Sequence, residues 1–235
     1  MNFKKLLGTC ALVLMTSSLV QADIISVTMT LNTPSPTANR LALAFGGGNT
    51  TSDMSGTIVA NIDINRVTGV ISSLEFTGGS ITTTNWTMNT AFGPFSGTNI
   101  VATMDTTPAA PGSTVTAGNF NATEQLLILN GGIASLPAAA FTQNFATTPL
   151  PIPGAGTGSL TSTLNNGVFD LAFSMPINNT QVIQGQNLTI VGTLQATGQV
   201  TAVPEPGSIA LCGLAAIGGL AVRRRAAVRR KQSAK

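Results

Sequence analysis

The sequence predicts an all-β exported domain, an antiparallel β-sandwich or a jelly-roll-like fold, flanked by a signal peptide and a single C-terminal transmembrane helix. Apolar and polar residues alternate at period two along much of residues 23–200. Clusters of Gly, Asn and Pro separate these segments. Apolar runs with basic flanks lie at the two ends of the chain. Short strands at such spacing are typical of sandwich folds.

Residues 1–22 have the organisation of a secretory signal peptide. Two lysines precede an apolar run from Leu6 to Val20, and small side chains favour cleavage between Ala22 and Asp23. We expect the Sec translocon and signal peptidase to act on this segment. The residues that follow it are then exported.

The strongest strand pattern lies between Gly56 and Thr77. The apolar residues of the first half alternate with polar neighbours, at Ile58, Ala60, Ile62 and Ile64. Residues 66–69 give a turn, after which Val70, Leu74 and Phe76 continue the pattern. This segment predicts a long β-hairpin.

Weaker period-two patterns predict the other strands of the 23–200 domain. These are Ile24–Leu31, Arg40–Phe45, Ser80–Thr87, Thr98–Met104, Thr114–Phe120, Glu124–Leu129, Gly158–Leu164, Val168–Met175 and Asn187–Val200. Residues 133–145 are ambiguous between a short helix and a loop. The proline-rich residues 147–158 are expected to form a loop between strands.

The charge and cysteine content of the exported part differ from those of the whole chain. Residues 23–202 contain two basic and seven acidic residues, a net charge of −5, although the whole chain has a net charge of +3. This balance gives no electrostatic case for binding nucleic acid. Both cysteines, Cys10 and Cys212, lie outside this part, so it forms no disulfide and depends on an apolar core.

The residue types of the exported part argue against an enzyme. It contains no His, Cys or Lys, so the usual nucleophile and base pairs cannot be assembled. Asp63 and Glu75, across the predicted hairpin, are the one carboxylate pair that we consider for glycoside hydrolysis. Calcium requires only oxygen ligands, and Asn61, Asp63 and Asn65 alternate onto one strand face. No cofactor is predicted beyond that open calcium alternative.

Residues 201–235 contain three parts in a fixed order. An extended Pro-Glu-Pro step comes first, because each proline restricts its own φ and the residue before it. An apolar segment at 208–222 follows; its fourteen residues from Ile209 to Val222 would span about 21 Å of helix against a hydrocarbon core of roughly 30 Å. A basic tail at 223–235 is expected to stay on the cytoplasmic side.

These three parts resemble the PEP-CTERM sorting domain of exported proteins of Gram-negative bacteria. The resemblance is carried by Val203, Pro204, Glu205, Pro206 and Gly207, and by the basic cluster Arg223, Arg224, Arg225, Arg229 and Arg230. It implies recognition of residues 203–207 by an exosortase, a membrane-embedded protease or transpeptidase. It also implies an inner-membrane-anchored precursor and a mature form at the cell surface or outside it.

The same resemblance implies a structural or adhesive role in an exopolysaccharide or biofilm matrix. The alternative is a carbohydrate-binding or carbohydrate-active protein displayed by the same signal, with Trp86 as a stacking platform instead of a packing residue. For the C-terminal segment itself, a permanent membrane anchor and a basic nucleic-acid-binding tail are the other interpretations. The absence of interleaved aromatic residues argues against nucleic acid.

Overall fold

The computed structural model describes residues 23–106 and 113–203. Fourteen strands and two short 3₁₀ turns make up this part of the chain, so the predicted all-β class is confirmed. The strands are β1 (Asp23–Leu31), β2 (Arg40–Phe45), β3 (Gly48–Ile64), β4 (Ile71–Thr83), β5 (Trp86–Thr90), β6 (Gly93–Met104), β7 (Ser113–Thr114), β8 (Asn119–Asn121), β9 (Leu126–Leu136), β10 (Phe141–Asn144), β11 (Leu150–Pro153), β12 (Thr157–Asn165), β13 (Val168–Ile183) and β14 (Gln186–Thr201).

All the strands belong to one hydrogen-bonded sheet. Its main path runs β10-β9-β6-β4-β3-β1-β14-β13-β12-β8, and the neighbouring strands along this path are antiparallel. The remaining strands attach to this path: β11 to β9, β5 to β6, β7 to β4, and β2 to both β3 and β14. The compact unit that contains the sheet extends over Ala22–Thr201.

The sheet folds over its own core. Phe76 on β4 and Phe173 on β13 make an edge-to-face contact with ring centroids 5.7 Å apart. Four strand steps separate β4 from β13 along the sheet path, which would be about 19 Å across a flat sheet at roughly 4.8 Å per step. The contact therefore requires the two halves to face each other, as the layers of a sandwich do, with apolar side chains between them.

β1 and β2 occupy the same position in the sheet, between β3 and β14. β1 pairs with β3 through residues 57–64, and β2 pairs with the same strand through residues 48–53. Both also pair with β14, at residues 196–197 and 189–191 respectively. They therefore lie end to end between β3 and β14, joined by residues 32–39.

The predicted hairpin from Gly56 to Thr77 is confirmed as the facing parts of β3 and β4. Two register shifts interrupt it, between Val59 and Ala60 and between Asp63 and Ile64. The structure extends β3 back to Gly48, because residues 48–53 pair with β2 through a tight turn at residues 46–47. Residues 49–53 are all polar, so the sequence shows no period-two alternation in this part of β3.

The structure corrects the interpretation of two segments. Residues 133–145 form neither a helix nor a loop, but the end of β9, a 3₁₀ turn at Pro137–Ala139 and β10. Pro137 and the left-handed Ala140 stop the chain from continuing straight. Within the predicted loop at 147–158, Leu150–Pro153 is strand β11, paired with β9.

In the two ranges that the structure describes, no helix combines the length and apolarity needed to cross a bilayer. The predicted signal peptide at residues 1–22 and the predicted membrane helix at residues 208–222 lie outside those ranges.

Candidate functional site

The two ends of the sheet unit meet at Arg66. This residue lies in the turn between β3 and β4, where the side chain of Asn65 accepts hydrogen bonds from the backbone N–H groups of Val67 and Thr68. The Arg66 Nε donates to the carbonyl oxygen of Thr201 at 2.9 Å, and its Nη1 lies 3.8 Å from Oδ2 of Asp23. The chain therefore enters and leaves the sheet on the same side.

We call that side the terminal end; it contains Asp23, the turn at residues 65–69 and Thr201. The opposite side, the distal end, contains the turns at residues 46–47 and 184–185. β14 connects the two ends with 16 residues, a length of about 50 Å along the strand at roughly 3.3 Å per residue. A tether at the terminal end would thus leave the distal end far from it.

Of the predicted sorting and cleavage residues, Asp23 and Val203 are described. Asp23 begins β1 and is half-buried, and Val203 follows β14 and is exposed. The others lie outside the described residues: Ala22, Pro204, Glu205, Pro206, Gly207, Arg223, Arg224, Arg225, Arg229 and Arg230. The motif thus begins in sequence within two residues of the last strand.

The structure places Asp63 and Glu75 on the outward face of the β3–β4 hairpin. Asn61 pairs with Glu75 and Asp63 pairs with Ser73, so the two carboxylates are diagonal neighbours. The Asp63 Oδ2 accepts a hydrogen bond from the Ser72 hydroxyl at 2.8 Å. The hairpin therefore brings the pair to one face, with one of the two acids already bound to a neighbouring side chain.

The side-chain oxygens considered for calcium differ in their hydrogen bonding. The Asn65 side-chain oxygen already accepts two backbone hydrogen bonds in its turn. Asp63 Oδ1, in contrast, is buried without a hydrogen-bond partner among the described residues. Within the same ranges, no three His, Cys, Asp or Glu side chains come together as a metal-binding group.

The outward strand faces carry uncharged hydrogen-bonding groups in cross-strand pairs. The hydroxyls of Ser55 and Thr82 lie 3.2 Å apart, and the amide of Asn130 donates to the Thr103 hydroxyl at 3.0 Å. Such pairs join neighbouring strands at low cost in desolvation. The result is a polar surface that carries little charge.

Arg40 on β2 forms an ion pair with Asp53 on β3, which lies directly opposite in register. The guanidinium donates to both carboxylate oxygens. These hydrogen bonds hold the pKa of Asp53 below its usual value; partial desolvation opposes the shift, and the positive charge of Arg40 adds to it. Arg40 also borders an open groove of mixed character that includes Thr37, Thr51 and Thr193.

An apolar cavity of about 200 Å³ lies at the distal end of the sheet unit. Side chains from several strands form its walls, among them Leu41, Trp86, Phe95, Leu129, Ile152 and Ile190. Trp86 is 8 % exposed and packs edge-to-face on Phe95, with ring centroids 5.2 Å apart. Trp86 is therefore a packing residue in the cavity wall, and its indole offers no exposed platform on which a sugar could stack.

Sequence reasoning did not find this cavity because its walls come from strands that are far apart in the chain. Its buried strand residues, such as Leu41, Phe95 and Ile190, are ordinary inward positions in their own strands, so period two marks them as core. The concentration of aromatic residues at positions 86, 95, 141 and 145 was the available signal. It does not by itself separate a filled core from a cavity.

Comparison with protein families finds a match to the PEP-CTERM protein-sorting motif at residues 202–225. No curated protein and no solved structure matches the chain. The matched residues include the Pro-Glu-Pro step, the apolar segment and the first arginines of the basic tail. The motif implies an exported protein that an exosortase-type enzyme recognises and sorts to the cell envelope or surface. The chain therefore carries this sorting motif directly after its last strand.

Proposed function

We propose that the β-sheet unit is a non-catalytic structural or adhesive component of an extracellular matrix of exopolysaccharide type. The observation that carries this proposal is the position of the sorting motif, which begins at residue 202, immediately after β14 ends at Thr201. The folded unit is then the part that sorting delivers.

The surface chemistry supports a structural role. Outward faces present Thr, Ser and Asn side chains, whose hydroxyls and amides can hydrogen-bond neutral polysaccharide without an electrostatic preference. The exported part contains no His, Cys or Lys to serve as a nucleophile or base of the common types. Its carboxylates Asp63 and Glu75 lie on an outward sheet face, where a substrate would not be shielded from water.

The processing half of the proposal is tested by intact-mass measurement of the exported protein. We expect the wild-type mass to correspond to a chain that begins at Asp23 and ends near Pro206 or Gly207. A variant with Pro204, Glu205 and Pro206 all replaced by Ala should retain the residues from Arg223 onward. Glu124→Ala, which removes an exposed acid from the β unit, is the control and should be processed normally. Masses of the wild type and the triple variant that differ only by the three substitutions would contradict processing at this motif.

The matrix half is tested in cells that lack the protein. We expect the protein to fractionate with the polysaccharide matrix, and the matrix to lose cohesion without it. Wild-type protein should restore cohesion, and so should the double variant Asp63→Asn with Glu75→Gln. Rescue by the wild type but not by the double variant would instead support a carbohydrate-active enzyme.

A carbohydrate-binding module is the second candidate, and the open groove beside Arg40 favours it. Arg40, Thr37, Thr51 and Thr193 line that groove with donors and acceptors suited to sugar hydroxyls. Arg40→Ala should then weaken binding to purified polysaccharide. Arg66→Ala removes the other arginine of the β unit, far from the groove, and should leave binding unchanged.

A further inference from the structure

Part of the lining of the apolar cavity lies near the distal end. Gln181, Val182 and Ile183 are the last residues of β13, and residues 148–150 lead into the start of β11. The side chain of Val182 is mostly exposed although it borders the cavity, and residues 148–149 are also exposed, so the cavity reaches the surface at these positions. We call residues 148–150 and 181–183 the entrance.

The cavity walls contain no charged side chain among the described lining residues. The polar groups of the lining include Gln143, Gln181 and Thr148 near the entrance, and the Gln143 amide is already bonded to the carbonyl oxygen of Thr148 at 2.9 Å. An ion inside would have no partner and would lose its hydration, so the cavity selects against charged ligands. An apolar molecule would gain contacts on every wall.

Thr83 supplies a separate observation. It ends β4, it lines the cavity, and its hydroxyl oxygen is buried without a hydrogen-bond partner among the described residues. A buried hydroxyl without a partner is unfavourable in a protein interior. Because that oxygen is itself buried, Thr83 presents no accessible hydroxyl to the cavity, which fits an apolar occupant.

The size of the cavity limits the ligand. Its volume is about 200 Å³, and an engineered cavity of about 150 Å³ with Leu, Ile and Phe walls stays dry and binds benzene. Drug-sized ligands require about 300 Å³ or more. We propose that this cavity is a binding site for a small, uncharged, apolar molecule, with one aromatic ring or a short alkyl chain that carries at most one weakly polar group.

This proposal goes beyond matrix sorting and is independent of it, because none of the cavity residues belongs to the motif at residues 202–225. The cavity opens at the distal end, so a molecule can enter it from the medium while the terminal end is held. The protein would then take up a hydrophobic compound at the site to which it is delivered.

Trp86 makes the proposal directly measurable, since it is the single tryptophan of the chain and lines the cavity. The probe is bromobenzene, whose heavy atom quenches indole fluorescence on contact, added to protein recovered from the producing cells without detergent. We expect saturable quenching in the wild type. Acrylamide, a polar quencher, should have little effect because Trp86 is 8 % exposed.

Two variants complete the test. Ala134→Leu fills part of the cavity from its wall and should weaken bromobenzene binding at least about tenfold, since a lost contact worth about 1.4 kcal/mol corresponds to that factor. Leu164→Ala changes a leucine that is 58 % exposed at the terminal end and should leave binding unchanged. Non-saturable quenching with the same slope in all three proteins would overturn the proposal.

A second measurement covers the case in which Ala134→Leu fails to fold, which circular dichroism would reveal. Leu129→Ala enlarges the cavity, because Leu129 lines it and is buried. This variant should bind 1-bromonaphthalene, which the wild-type cavity is too small to accept, at least about tenfold more tightly than the wild type does. Equal affinity of both proteins for the larger probe would show that the measured site is not this cavity.

Discussion

The side-chain amide of Asn39 hydrogen-bonds both backbone groups of Gln195. Its Nδ2 donates to the Gln195 carbonyl oxygen at 2.7 Å, and the Gln195 N–H donates to its Oδ1 at 2.8 Å. Asn39 lies between the end of β1 and the start of β2, where single backbone hydrogen bonds from the N–H groups of Asn32 and Asn39 join the segment to β14. The amide adds the two bonds of a peptide group to these and so helps to keep the sheet continuous between β1 and β2.

Replacing Asn39 with Ala should strongly destabilise the β unit. The side chain is 0 % exposed and also donates to the Asn32 carbonyl oxygen at 2.8 Å. Its loss removes the bonds to the Gln195 N–H and to the Asn32 carbonyl oxygen, at about 1–3 kcal/mol for each group, whereas the Gln195 carbonyl oxygen keeps its bond from the Asn32 N–H. We expect the free energy of unfolding to fall by about 3 kcal/mol or more, measured by chemical denaturation.

Asn166→Ala is the matched control for that substitution. Asn166 has the same left-handed backbone, with φ of 49° against 53° for Asn39, but its side chain is exposed in the β12–β13 turn. Alanine at a left-handed position should cost only about 1–2 kcal/mol. Equal losses in the two variants would show that the bridging amide contributes nothing beyond backbone conformation.

The sequence predicted the parts of the sheet that depend on local pattern. Period two and flanking glycines marked the 56–77 hairpin, because both strands are adjacent in the chain and have one buried face. The bridge between Asn39 and Gln195 could not be predicted, since it joins residues 156 positions apart. A single Asn beside a strand looks like an ordinary turn residue in the sequence.

Strand β11 was missed for a different reason. Two prolines in Leu150–Pro153 argue against a strand, because proline cannot donate to a ladder. In the structure, β11 pairs with β9 in antiparallel register and lies off the main path of the sheet. Leu150 and Ile152 alternate with the prolines, so the missing donors fall on alternate positions. A strand with one paired edge tolerates this arrangement.

Phe173→Ala should be among the most destabilising core substitutions. Phe173 makes the edge-to-face contact with Phe76 and stacks on Phe120 with ring centroids 5.7 Å apart. It therefore joins the two facing halves of the sheet. We expect a loss of about 3–5 kcal/mol in the free energy of unfolding, measured by urea titration.

Phe92→Ala provides the comparison for Phe173. Phe92 is 41 % exposed and contacts Phe45 at the distal end, with ring centroids 6.1 Å apart. Removing a partly exposed ring should cost about 1 kcal/mol. Similar losses in the free energy of unfolding for the two variants would contradict the conclusion that Phe173 joins the two halves of the sheet.

Gly97→Ala should displace the Trp86 indole. Gly97 pairs with Trp86 across β5 and β6, and a Cβ added at Gly97 would lie 2.4–2.6 Å from three atoms of the indole ring. Contacts this short force the ring to move, at about 1–3 kcal/mol. We expect a shift of the tryptophan emission maximum together with lower stability. Thr98→Ala, at the next and exposed position of β6, should leave the emission maximum unchanged; a shift in this control would point to a general loosening of the strand.

The Arg40–Asp53 pair predicts a pH dependence of stability. The folded-state pKa of Asp53 is lowered, so the ionised carboxylate is more favourable in the folded protein than in the unfolded one. Its contribution is complete above the ordinary aspartate pKa, near about 3.9, and is lost as the pH falls toward the lowered value. Asp53→Asn should therefore be less stable than the wild type at pH 7, and the difference should shrink below about pH 4.

Denaturant titrations of both proteins between pH 7 and pH 2 give this difference directly. Asp170 provides the control. It lies on β13, and its carboxylate accepts hydrogen bonds from the uncharged side chains of Asn165 and Gln199. Asp170→Asn keeps the shape of that group without removing an ion pair. A wild-type advantage over Asp53→Asn that stayed constant down to pH 2 would contradict ionic pairing at Asp53.

A chain that consists of residues 23–203 should fold as the full-length protein does. The last strand pair of the sheet is Val168 with Thr201, so this chain keeps every backbone pair of β14 and the contact between Arg66 and Thr201. We expect its thermal midpoint to lie within about 2 °C of the exported protein, a change of well under 1 kcal/mol. Ending the chain at residue 196 instead removes the pairs from Thr197 to Thr201 and the buried Val200, and the midpoint should fall by about 8 °C or more. If the chain ending at residue 203 were as unstable as the shorter one, residues of the sorting segment would contribute to the stability of the fold. Processing could then not deliver an independently folded β unit.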